Sequence, residues 1–243
     1  MRSLLAFFTV LPVRDATLED AARSAYLLPL VGLVTGAAGG GVLLLAYALP
    51  PGVAATLALS AVLLAAGLHH SDGVLDVGDA LMVRGAPERR REVLKDTRVG
   101  IGGIGALFVV YAPALAALTA LAGASTARAA LALVAGEVAA RSVMLLMLVF
   151  GEPAERRSSS VAFVRALEGN RRTAGLALAC LAPLLLLLPF GLAGVVGALA
   201  VLLFVVGALR VANAAFGGIG GDIVGATGEV GRTVVLVALS ATI

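Results

Sequence analysis

Three aspartates, Asp72, Asp76 and Asp79, stand at offsets of four and three in the run HHSDGVLDVGDAL, residues 69–81. On a helix that spacing places the three carboxylates on one face, spread over roughly 60°. Like charges so close repel and raise one another's pKa, and a hard divalent cation relieves them by accepting oxygen ligands; Mg²⁺ is the natural candidate. The spacing alone equally admits an ordinary wet acidic face beside the basic run that follows. His70 precedes the cluster and reads as a ligand, a base or a hydrogen-bonded interfacial histidine.

Next comes PERRREVLKDTR, residues 87–98, a short helix with Pro87 at its first position. Its Lys95 and Arg98 suit phosphate oxygens, Arg by a bidentate fork and Lys as a point charge, while Asp96 lies between them. For Arg89, Arg90 and Arg91 the plainer reading, topology and lipid head groups, is preferred. A second acidic position, Asp222, sits among glycines in GGIGGDIVGATGE, residues 217–229. That run matches neither a phosphate-cradling Walker loop nor a dinucleotide fingerprint and reads as a connection with close backbone approach. Within an apolar block, Glu137 and Arg141 stand four apart, either as a structural ion pair or with Arg141 reaching a substrate phosphate.

The elements that must carry these residues are membrane helices. Of the 243 residues 60% are hydrophobic and 14% charged, with 30 glycines and no tryptophan, and the mean hydropathy is +1.04. A soluble domain averages about 25% charged residues, so a water-soluble globule is excluded. The 18 basic residues are scattered between apolar blocks with no aromatic-interleaved platform, which argues against nucleic acid. Blocks of about 20 apolar residues span a bilayer. They fall at Leu27–Leu49, Val53–Leu68, Ile101–Gly123, Ala129–Phe150, Gly175–Phe190 and Leu192–Ala212, and a shorter stretch, Thr233–Ile243, closes the chain. The expectation is an all-α polytopic transmembrane bundle of six or seven spans, forming a single domain over 1–243.

Basic residues collect in alternate connections: Arg2, Arg14 and Arg23; Arg84 to Arg98; Arg156 to Arg172. The intervening connections carry Arg128 alone. By the positive-inside rule the N-terminus and all long polar connections, including 213–232, face the cytoplasm. The opening MRSLLAFFTVLPV reads as a retained interfacial or half-inserted helix, because Pro12, Arg14 and Asp15 stand where a cleavage site should be. Cys180 lies inside an apolar block and reads as packing.

The segments GLHHSDGVLDVGDAL (67–81), LKDTRVG (94–100), GGIGGDIVGAT (217–227), FFTVLPV (7–13) and LPLVGLVTG (28–36) together resemble the cobalamin synthase, or adenosylcobinamide-GDP ribazoletransferase, family. The resemblance runs in order from Phe7 to about Arg232, with departures at Ser71, Ala80, Ile219 and Gly220. It implies a polytopic inner-membrane enzyme using Mg²⁺, which joins adenosylcobinamide-GDP to α-ribazole or its phosphate and releases GMP. Matched position by position, the family's histidine falls on His70, its aspartates on Asp72, Asp76 and Asp79, its basic element on Lys95 to Arg98, and its late Gly-Asp on Gly221 and Asp222. The expected roles are Asp72, Asp76 and Asp222 on metal, Asp79 or Asp96 on the hydroxyl proton, and His70, Lys95, Arg98 and Arg141 on substrate. The expected partners are these small molecules and the lipid bilayer, with a homo-oligomer left open. Two rival readings are a CDP-alcohol phosphotransferase and a membrane transporter; polar residues clustered in loops rather than at the midplane argue against transport.

Overall fold

The computed structural model describes residues 1–241. Its helices are α1 (Arg2–Phe8), α2 (Leu18–Arg23), α3 (Leu28–Leu45), α4 (Pro51–Ala65), α5 (His69–Met82), α6 (Pro87–Val93), α7 (Ile101–Ala124), α8 (Thr126–Phe150), α9 (Ser159–Ala166), α10 (Gly169–Leu187), α11 (Leu192–Val211) and α12 (Gly221–Ser240). No strand occurs among the described residues, so the bundle is all-α. Six helical stretches are long and apolar enough to cross a membrane: 25–45, 101–124, 126–150, 169–190, 192–216 and 221–240. Leu184, Leu185, Leu192, Leu199 and Leu203 are exposed on the outer helices, as lipid contact requires. Cys180 is also exposed there, not packed in the core.

α8 is the central helix, packed by α3, α10 and α12. Small residues set the closest approach: a Cβ on Gly36 would lie 2.8 Å from Val134 Cα, so α3 touches the α8 backbone directly.

Several boundaries differ from the sequence reading by a few residues, α10 beginning at Gly169 instead of Gly175 and α3 ending at Leu45 instead of Leu49, and two differences bear on the site. The span expected over Val53–Leu68 ends at Ala65, and α5 leaves at 93° to α4. The break is made by Gly67 at φ +73° and Leu68 at φ +61°. A left-handed leucine costs about 1–3 kcal/mol and persists only where its surroundings enforce it. The last helix starts at Gly221 instead of Thr233, so the glycine-rich stretch expected as a connection is largely helical. Its Gly225, Gly228 and Gly231 face His70, Met144 and Val143, where their smallness serves packing. Residues 242 and 243 of the expected terminal stretch lie outside the described residues.

The connections gather at one end of the bundle. Ile219 N–H donates to Glu152 O at 2.7 Å and Ala154 N–H to Ile219 O at 2.9 Å. Arg91 Nη1 donates to Phe216 O at 2.7 Å, which ties α6 to the same end. The N-terminal helices join through α2, which packs on both α1 and α9.

Candidate active site

The two remote acidic segments meet where α5 crosses the start of α12. A Cβ on Gly73 would lie 2.7 Å from Asp222 O, so the backbones touch at that point. Asp222 occupies the first turn of α12, whose unpaired N–H groups favour a negative charge. Asp72 and Asp222 are exposed and Asp76 is half-buried. The charges acting on Asp76 are those of Asp72, Asp222 and Asp79, all of one sign.

Asp79 shares α5 with the others but is turned to a different task. Gly100 donates its N–H to Asp79 Oδ2 at 2.7 Å and Gly103 donates to Oδ1 at 2.8 Å, so both oxygens cap the start of α7. Among the described residues no three His, Cys, Asp or Glu side chains converge as a metal site. Asp72, Asp76 and Asp222 therefore do not make a closed cage. Carboxylate oxygens are the ligand type that Mg²⁺ takes, an ion that usually keeps several of its waters.

On the basic side, Lys95 Nζ donates to both oxygens of Glu155, at 2.7 and 2.9 Å, and Arg91 Nε stands 3.7 Å from the same carboxylate. Arg98 is engaged with Asp96, its Nη2 donating to Oδ2 at 2.8 Å. Hydrogen bonds from the Arg98 side chain and backbone hold the Asp96 carboxyl down at about 2.

His70 and Arg141 belong to a buried network. Glu137, Arg141, Glu229 and Arg232 are each at most 1% exposed, and their formal charges cancel. Arg232 pairs with Glu137 at 2.8 Å and with Glu229. Tyr111 Oη donates to Glu229 at 2.9 Å and lies 2.7 Å from Ser71 Oγ, while Thr35 donates to Glu137. Arg141 stands 3.6 Å from Glu137 and its Nη1 is 2.8 Å from His70 Nδ1. A guanidinium has no acceptor, so Nδ1 must accept and the imidazole proton sits on Nε2. Arg141 thus stands behind His70, out of contact with solvent.

Two clefts flank Asp222. One, of about 470 Å³, is lined by Phe7, Phe8, His69, His70 and Phe163. The other, of about 270 Å³, is lined by Arg91, Lys95, Glu155 and Arg157. Ser159, Gly221 and Asp222 line both. Sequence reasoning put Asp72, Asp76 and Asp222 into one group; the structure sets Asp222 against the α5 backbone at Gly73, but of the three only Asp222 lines a cleft, and Asp72, Asp76 and Arg98 lie outside both. It missed Glu155, Arg157 and Ser159, which carry no motif. It also missed Glu229 and Arg232, for which a helical spacing of three within an apolar stretch was the available signal.

The family model described as cobalamin-5-phosphate synthase matches residues 1–240. A protein of Pyrobaculum calidifontis named adenosylcobinamide-GDP ribazoletransferase is 38% identical over 239 residues, 98% of this chain and 97% of the relative. Proteins of the same name from Pyrobaculum islandicum and Saccharolobus islandicus are 44% and 39% identical over 48% of this chain. Those two matches span about half the relatives' length, 48% and 47%. No solved structure matches.

Proposed function

The chain belongs to the cobalamin-5-phosphate synthase family, and from that premise we propose that it transfers the cobinamide-phosphate group of adenosylcobinamide-GDP to α-ribazole or its phosphate, releasing GMP. The acceptor's hydroxyl oxygen bonds to the phosphorus on the cobinamide side, and the phosphoanhydride P–O bond breaks. GMP leaves with the electron pair, and the hydroxyl proton passes to a carboxylate. Catalysis of this kind is positioning and electrostatics more than covalent chemistry.

The observation that supports this reading is the contact of Asp222 with Gly73 on α5, the helix that carries the three aspartates, beside a basic cleft. Asp72, Asp76 and Asp222 would hold Mg²⁺, which when bound neutralises charge on the diphosphate oxygens. Lys95 and Arg91 lie across the cleft for the phosphates, and His70, its proton held on Nε2 by Arg141, offers a donor N–H on the wall of the larger cleft. Asp79 and Asp96 are poorer candidates for the hydroxyl proton, because both are already engaged by donors. The site would face the cytoplasm, since the basic connections surround it. The CDP-alcohol and transporter readings find no support in the family.

In detergent-solubilised protein supplied with adenosylcobinamide-GDP, α-ribazole and Mg²⁺, Asp76→Asn and Asp222→Asn should lower GMP release by about 100-fold or more. Near-wild-type rates in both variants would remove the acidic group from the site.

A further inference from the structure

The two clefts differ in chemistry as sharply as the two halves of the proposed reaction. The smaller one is a charged slot in which three cations, Arg91, Lys95 and Arg157, face the carboxylates of Glu155 and Asp222. Lys95 grips both oxygens of Glu155 while Arg91 stands 3.7 Å away. Arg91 is also held by Glu88 at 2.9 Å and by the Phe216 carbonyl. Arg157 is exposed on the rim and makes no hydrogen bond or ion pair among the described residues. A carboxylate gripped this way presents two anionic oxygens in a short span, as one phosphate group does. Glu155 comes from the connection between α8 and α9, outside any helix, so its displacement costs no regular structure.

The larger cleft is aromatic. Phe7 and Phe163 have ring centroids 5.4 Å apart and Phe8 and Phe163 5.8 Å, with His70 5.8 Å from Phe8. Its volume of about 470 Å³ falls in the range of small-molecule sites. Such walls stack flat aromatic rings, and the Ser159 and Ser160 hydroxyls supply polar contacts at one side.

Resting on the transferase reading, we infer that the clefts are separate substrate chambers. The basic slot seats the diphosphate of the nucleotide donor, with Glu155 occupying the phosphate position until the donor displaces it. The aromatic cleft seats the flat base of the alcohol acceptor. Asp222, in the wall the chambers share, lies where the acceptor hydroxyl meets the phosphorus.

The test is steady-state GMP release by the full chain, with each substrate varied in turn. Arg157→Gln should raise the KM for adenosylcobinamide-GDP by about tenfold while leaving that for α-ribazole within about twofold. Glu155→Gln should lower the donor KM by several-fold, because Lys95 is freed, and the gain should shrink as salt rises. Phe163→Leu should raise the acceptor KM alone; because Phe163 is buried, Phe7→Leu on the exposed wall is the companion variant. Donor and acceptor constants that move together in these variants, or a donor KM raised by Glu155→Gln, overturn the chambers while leaving the transferase intact. Wild-type protein that releases no GMP overturns the transferase reading itself, and this inference with it.

Discussion

Both oxygens of Asp79 receive N–H groups from the first turn of α7, whereas Asp222, the same residue type, projects from its own helix start into the clefts. Asp79→Ala orphans two backbone donors, and a loss of about 2 kcal/mol in stability is expected, with Asp79→Asn costing about half as much. Thermal unfolding in detergent measures it, and turnover per folded molecule should change less than stability does. Asp96 makes the opposite case. Its carboxyl is held from an ordinary value of 3.8 down to about 2 by Arg98. A folded value below the unfolded one means the stabilisation is complete above pH 3.8 and fades as pH falls through about 2. No proton therefore exchanges at Asp96 in the working range, and the acidic limb of the pH–kcat/KM profile should stay in place in Asp96→Asn; a limb that moves with this substitution would restore Asp96 as the base.

At the scale of elements, the site depends on α5 and α12 touching backbone to backbone at Gly73 and Asp222. Gly73→Ala inserts a methyl group 2.7 Å from Asp222 O, and the backbones must separate. Overpacking of this kind costs about 1–3 kcal/mol. The separation should lower kcat/KM by about tenfold or more in protein that still elutes as a folded species, because a misplacement of about 1 Å costs up to a hundredfold in rate. Unchanged turnover would show that Asp222 acts independently of the α5 aspartates. Behind this contact, the Glu137, Arg232, Glu229 and Tyr111 chain joins α8, α12 and α7 through their buried charges. Breaking one partner would strand a charge in apolar surroundings, so the network holds three helices in a single arrangement.

At the scale of the molecule, the connections carrying Arg84 to Arg98 and Arg156 to Arg172 meet the α11–α12 connection at one end of the bundle. The Lys and Arg excess there predicts that this end faces the cytoplasm. In a Cys180→Ser background, cysteines placed at Arg84 and Arg156 should react with a membrane-impermeant thiol reagent only after the cells are opened, and one at Tyr47 in intact cells. The reverse pattern would invert the topology and move the proposed site outside.

The amino-acid order by itself determined the membrane class, the positions of most spans and the grouping of basic connections. These are local quantities: run lengths of apolar residues and counts of charge between them. It also brought out Asp72, Asp76 and Asp222 as candidates, since their residue types and spacing are visible along the chain and match a family pattern. It could not say that Asp79 caps α7, that Arg141 stands behind His70, or that α12 begins at Gly221, where glycines that imitate a loop are packing surfaces. Nor could it pair Lys95 with Glu155, 60 residues away, without any motif to mark the second partner. Such pairings depend on which helix faces turn toward one another. That orientation is settled by close packing around α8 and by the need of each buried charge for a partner, and only the tertiary structure holds it.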